Sequence, residues 1–350
     1  MIIRHEINMV NFFYKNSFAA HPASMVYIDP SKYSGSITSY FEIVCISNGV
    51  DYNLRDSSGN IHATIDTASS ASILRYRVAV STTLTADSYY CDNENSNNFT
   101  YAARIIIIQD TSTDPITDSE SQFEIGDYEY EIFSTTQTPL AYPKYWNYNS
   151  SNWDGTLTFY VEVVWSVLSD KYAGYVYLEE DDGSFGNWTT KETIVDAGTS
   201  VIATRTRVQI DPAPTSGRNY RLAFKTAETK ASYGMNIYNA KIIVQQTSET
   251  AITKLEEHYL LLNSGTVLEG QLLNCDGYYD ADEWDGVTVN LYPEHDASGA
   301  TCNTKLQEDT DGTPSDVSNS SITGANRTRG GTALSITDNE DIDTYVVEAG

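Results

Sequence analysis

One pattern recurs three times along the chain, and each time it is written in the two-residue alternation of β-strands. Tyr33-Ser34-Gly35, Trp153-Asp154-Gly155 and Trp284-Asp285-Gly286 each open an alternating apolar run that carries a glutamate, at Glu42, Glu162 and Glu294. An Arg-x-Arg follows in every copy (Arg75/Arg77, Arg205/Arg207, Arg327/Arg329), then a tyrosine-led strand at Tyr90, Tyr220 and Tyr345. Two copies close with a strand rich in isoleucine, around Ile105–Ile108 and Ile242–Val244, whereas the third reaches Gly350 without one.

The runs Ile37–Cys45 and Leu157–Trp165 place β-branched and aromatic residues between turn formers. Asp56-Ser57-Ser58-Gly59, Asp181-Asp182-Gly183 and Asp309-Thr310-Asp311-Gly312 mark turns at matching places. Helical periodicity is almost absent. The expectation is an all-β chain of three tandem antiparallel β-sandwich domains, jelly-roll or immunoglobulin-like, the last lacking its final strand. Residues 1–10 read as an N-terminal extension or donor strand, 11–112 as the first repeat, 113–248 as the second and 249–350 as the incomplete third. A sandwich short of a strand exposes unpaired backbone groups and a gap in its core. A strand from another copy would fill it, as would chain beyond Gly350, or the third unit has a shorter topology of its own. In the first case the donor is Met1 to Tyr14, with Met9, Val10, Phe12 and Phe13 as its apolar residues.

A glutamate inside an apolar strand is costly unless paired or solvated. The Arg-x-Arg strand supplies the partner, so a cross-strand Glu–Arg pair is expected in each unit, fixing register and, if exposed, contributing only about 0–1 kcal/mol. A self-formed isopeptide crosslink would need a lysine at a fixed place, and none recurs. Cys45 and Cys91 fall in the first copy, Cys275 and Cys302 in the third. An even count grouped within units reads as a disulfide in each, and no Cys-x2-Cys pair suggests zinc. Asp309, Asp311 and Asp316, with Asp280, Asp282 and Asp285 as a second set, place hard oxygen ligands at alternate positions near a glycine turn. Such a loop would take calcium, although no glutamate closes it as in an EF-hand. No other cofactor is expected. Glycosylation sequons stand at Asn98, Asn149, Asn187, Asn319 and Asn326. Tyr142, Tyr145, Trp146 and Tyr148 crowd one segment; they either plug a core or stack on sugars.

The net charge of −27 excludes nucleic acid as a partner, because a phosphate backbone needs a basic face. No apolar run of about 18 residues could span a membrane. Residues 1–20 hold no secretory core, since Arg4, His5, Glu6 and Asn8 interrupt it. The five histidines (His5, His21, His62, His258, His295) stand apart in the chain, and no nucleophile, zinc or phosphate motif occurs, so no enzyme is expected.

The repeat of Tyr/Trp-x-Gly, strand glutamate, Arg-x-Arg, tyrosine-led strand and isoleucine-rich strand resembles the tandem jelly-roll or immunoglobulin-like sandwiches of prokaryotic cell-surface and extracellular filament proteins. The resemblance is architectural and brings no site residues with it. It implies an extracellular or cell-surface structural subunit that assembles with itself, head to tail, by strand exchange into a filament, pilus-like thread or surface layer. The alternative is an adhesin or carbohydrate-binding array that recognises surface glycans, with Trp146 as its test residue.

Overall fold

The computed structural model describes residues 2–10, 14–15, 25–70, 74–93, 99–112, 114–126, 129–140, 144–183, 186–228 and 234–257, and beyond these the strand backbone between 272 and 349 together with Glu283. The chain divides into two compact units, His5–Val10 with Tyr14–His258, and Met1–Arg4 and Asn11–Phe13 with Tyr259–Gly350.

The larger unit holds two sandwiches of the same design. In the first, β1 (Ile2–Val10), β9 (Phe99–Asp110), β4 (Ser36–Ile46) and β7 (Leu74–Ala79) lie in that order in one sheet. The facing sheet runs β3 (Val26–Ile28), β8 (Asp87–Asn93), β5 (Asp51–Asp56) and β6 (Ile61–Asp66). The second sandwich repeats this as β10 (Asp118–Gly126), β19 (Met235–Thr247), β14 (Thr156–Val167) and β17 (Thr204–Gln209). Its facing sheet is β13 (Trp146–Tyr148), β18 (Arg218–Thr226), β15 (Gly174–Glu180) and β16 (Thr189–Gly198). First strand beside last, with eight main strands divided four to each layer in this order, is the eight-stranded jelly roll. Of the two architectures the sequence allowed, this one is formed.

This order changes the place of the N-terminus. β1 is the counterpart of β10, an edge strand hydrogen-bonded to β9 in its own sandwich. Ile7 and Met9 are buried in that sandwich's core. Of the expected extension 1–10, the described part, Ile2–Val10, is therefore not idle, and Met9 is not held in reserve for another copy. Val10 ends the same strand, while Phe12 and Phe13 lie outside the described residues.

Each sandwich has its own core. The first gathers Ile28, Phe41, Ile43, Tyr52, Leu54, Tyr89 and Ile105, the second Phe123, Trp146, Phe159, Val176, Tyr220, Leu222 and Ile242. A fully buried side chain of this size contributes about 1.5–3 kcal/mol over leaving it exposed. The recurring aromatic-x-glycine opening now has a cause. Tyr33 and Trp153 are buried at the entrance to β4 and β14, and the glycines that follow have φ of +82° and +67°. At Gly35 a Cβ would stand 2.9 Å from the Asp110 carbonyl oxygen, so the turn needs glycine for both conformation and space. The tyrosine that opens the eighth strand is Tyr89, one residue before the position the repeat suggests. Tyr89 and Tyr220 are both buried, and their hydroxyls bond back to the Thr85 and Thr215 backbone.

In the smaller unit, β20 (Leu272–Tyr279), β27 (Glu340–Ala349), β23 (Thr301–Glu308) and β24 (Ser315–Thr323) form a four-stranded sheet in the same order as β3-β8-β5-β6. Two short pairs accompany it, β21 (Asn290–Leu291) with β26 (Thr332–Ala333) and β22 (Glu294–His295) with β25 (Thr328–Arg329). Glu294 is registered opposite Arg329, as Glu42 is opposite Arg77 and Glu162 opposite Arg207. Counterparts of β1 and β9 are not among the described residues.

Candidate functional site

The two large sheets turn their apolar sides to the cores and carry a buried ionic row on the other side. In the first sandwich Arg104 of β9 reaches Glu6 of β1 at 2.8 Å and Glu42 of β4 at 3.4 Å, and Arg75 of β7 holds Glu42 at 2.7 Å. In the second, Lys241 of β19 lies opposite Glu162 in register and 3.3 Å from Gln122 of β10, while Arg205 of β17 pairs with Glu162. The second arginines cover tyrosine rings, Arg77 over Tyr40 and Arg207 over Tyr160. The Glu–Arg pair read from the sequence is thus part of a four-strand row whose carboxylates are buried, while the side chains of Arg75 and Arg205 remain 24% and 31% exposed. Stripping such a buried carboxylate of its cations would strand a charge in low dielectric, at about 3–5 kcal/mol.

The second sandwich's row lies against the first sandwich. Lys241 Nζ donates to the Asn8 carbonyl at 3.1 Å, Asn239 Nδ2 donates to the Met25 carbonyl, and the Arg205 guanidinium stacks 3.9 Å over the Tyr27 ring. Burial pulls Lys241 down to about 8, against the opposing influence of Glu124, Glu162 and Glu120. A paired glutamine completes the joint. Gln109, at the end of β9, donates its amide to the carbonyls of Ser34 and Asp118, at 2.8 and 2.9 Å. Gln246, at the matching end of β19, donates to the carbonyls of Asp154 and Lys254, at 2.7 and 2.8 Å. Each therefore ties the glycine turn of its own sandwich to the segment that enters the next unit.

At the centre of the joint His5 of β1 meets three other segments. Nδ1 lies 2.6 Å from Glu257 Oε1, and Nε2 lies 2.7 Å from Gln109 Oε1 and 3.3 Å from Ser119 Oγ. Ser121 Oγ donates to the same Glu257 oxygen. Tyr33 packs its ring 5.2 Å from the imidazole. Burial, then Glu120 and Glu257, push its phenol well above the ordinary value. His5, Ser119, Ser121 and Gln109 are all buried. In sequence His5 stands alone, since no other histidine recurs with it. Its partners are a glutamate, a glutamine and serines scattered over 250 residues, and no spacing rule would have joined them.

Other expected site residues fall elsewhere. Cys45 and Cys91 are free thiols buried on facing sheets of the first core, so the expected bridge is not formed. Cys275 and Cys302 stand on β20 and β23, and their pairing lies outside the described residues. Asp309 and Asp311 are also outside them, Asp316 is on β24, and among the described residues no three His, Cys, Asp or Glu are grouped to hold a metal. Asn149 and Asn187 are exposed; Asn98 and Asn326 are outside the described residues and Asn319 is on β24. Trp146 is 1% exposed and packs against Phe123, Tyr148, Phe159 and Tyr220, which makes it core and removes it as a sugar platform. Among the described residues no helix is long and apolar enough to cross a membrane.

No family model matches the chain, and no curated protein matches it. Solved structures similar to it include PNGase F, a glycosylasparaginase from Flavobacterium meningosepticum, at 12% identity over 72% of this chain and 98% of that one, with a TM-score of 0.25. The VP2 subviral particle of infectious bursal disease virus is similar at 10% identity over 71% of each chain, TM-score 0.25. An archaeal-virus protein described as a triple jelly roll, with turret assembly, is similar at 9% identity over the whole of this chain and 86% of its own, TM-score 0.20. What they share with this chain is at most the fold, and the jelly-roll assignment rests on the strand order itself. The expected kinship with prokaryotic surface and filament proteins is not what these structures offer. One expectation is overturned: the exclusion of an enzyme is withdrawn, because an enzyme stands among the similar structures. At that score it brings no activity to this chain.

Proposed function

We propose that the chain is a structural subunit that associates with copies of itself, outside the cell or on its surface, in a filament or layer. The observation that supports this reading is the repeated joint. Gln109 and Gln246 each make one bond to the glycine turn of their own sandwich and one to the segment that follows, and the ionic row of the second sandwich lies against the first. What the repeat preserves is the means of attaching one unit to the next. Strand exchange would extend the same arrangement between molecules, the donated strand adding to a sheet edge. Its source is a segment other than Ile2–Val10, which pairs with β9 of the same chain. Calcium at Asp309, Asp311 and Asp316 and glycans on the exposed Asn149 and Asn187 would belong to such a setting. Sedimentation and negative-stain microscopy of the purified full chain test the reading. Concentration-dependent polymers are expected; a monodisperse monomer at every concentration, with and without calcium, would refute it.

A further inference from the structure

Ser119 Oγ, the two nitrogens of His5 and Glu257 Oε1 follow one another at 3.3 and 2.6 Å, the sequence of a nucleophile, a base and an orienting acid. The hydrogen inventory gives the row another task. Gln109 Nε2 faces two backbone carbonyls, which fixes the amide and leaves Oε1, an acceptor only, toward His5. His5 Nε2, 2.7 Å from that oxygen, must carry a hydrogen. It has no lone pair with which to take a proton from Ser119, whose hydroxyl donates to the same Gln109 oxygen at 3.0 Å. On the far side of the ring, Nδ1 and Glu257 Oε1 stand 2.6 Å apart, and two bare lone pairs at that distance would repel, so a hydrogen lies there too.

We infer that His5 is held doubly protonated against the Glu257 carboxylate, as a buried charge-paired clasp that fastens β1 and β10 to the segment leaving β19. Its members hold matching places in their segments. His5 and Ser121 each stand two residues before a core residue, Ile7 and Phe123, and Ser121 and Glu257 each stand three residues after a carbonyl held by a joint glutamine, Asp118 and Lys254. The side chains of His5 and Glu257 are 1% and 3% exposed, so water cannot replace a lost partner.

Tyr33 faces the ring from the first sandwich; Glu120 of β10 and Arg207 of β17 act on Tyr33 together with Glu257 and Asp29. The neighbours of His5 on β1 are engaged elsewhere, Arg4 with Glu283 and Glu6 with Arg104.

Nitrogen NMR of the full chain with labelled histidine tests the assignment, with His5→Gln identifying the signal. Both ring nitrogens are expected in the N–H range at neutral pH. In Glu257→Gln the ring should become neutral, keeping its hydrogen on Nε2 and moving Nδ1 to the lone-pair range. If His5→Gln does not fold, the signal is identified as the histidine displaced by Ser121→Ala. A singly protonated His5 in the unmodified chain, or covalent capture of Ser119 by a fluorophosphonate probe, would overturn the inference.

Discussion

Lys241 offers a quantitative test of the joint. Its ammonium is fully buried between Asn8 and Gln122, and burial brings it from 10.5 to about 8 despite three nearby carboxylates. The unfolded chain keeps the ordinary lysine value, so between pH 8 and 10.5 the unfolded state binds more protons than the folded state. Unfolding free energy attributable to this residue therefore rises with pH across that window. At 1.36 kcal/mol per unit, the whole window amounts to about 3 kcal/mol. Lys241→Met removes the charge, keeps the length and leaves Glu162 its pairing with Arg205. Denaturant unfolding of both proteins at several pH values gives the difference. The variant is expected to gain on the parent chain by about 3 kcal/mol less at pH 10.5 than at pH 8. A carbon-13 titration of the Lys241 side chain should show a midpoint near 8. A midpoint at the ordinary lysine value, with no pH-dependent difference between the proteins, would refute the account of the joint as a low-dielectric contact.

Two further outcomes follow from local geometry. Gly155→Ala should destabilise by about 3 kcal/mol, since the residue has φ +67° and its new methyl would meet the Thr247 carbonyl, whereas Gly59→Ala, also at positive φ but in open space, should lose only about 1 kcal/mol in thermal or denaturant unfolding. The thiols of Cys45, raised to about 11 by burial, and Cys91, raised further by burial and Asp92, should resist maleimide at mildly alkaline pH and react once denaturant is added; a disulfide found by mass spectrometry in the native protein would contradict this.

The features that repeat with a strict period were legible in the sequence. Alternation in β4 and β14 announced the strands, and Glu42 and Glu162 with their Arg-x-Arg partners announced the cross-strand contact. β1 and β10 were harder to read, and for a shared reason. One side of each carries core residues, Ile7 and Met9 or Phe123 and Ile125, but Arg4, His5 and Glu6 in one and Ser119, Glu120 and Ser121 in the other are buried as well. Polar residues that face a joint look, in sequence, like a linker. The joint itself was hidden because its bonds run between residues with no common spacing, such as His5 and Glu257. Cys45 and Cys91 misled because two cysteines in one copy say nothing about distance across its core. Trp146 showed how an aromatic cluster can be read as a platform when it is a plug.

The pairing of β1 with β9 sets an order on how the chain can be made. The ribosome releases β1 first and its hydrogen-bonding neighbour only after Asp110 has emerged, and the same delay separates β10 from β19. Closing so long a loop is entropically expensive and slow. Each nascent sandwich must wait with an open edge until its last strand arrives, and during that interval it is most exposed to pairing with the wrong partner.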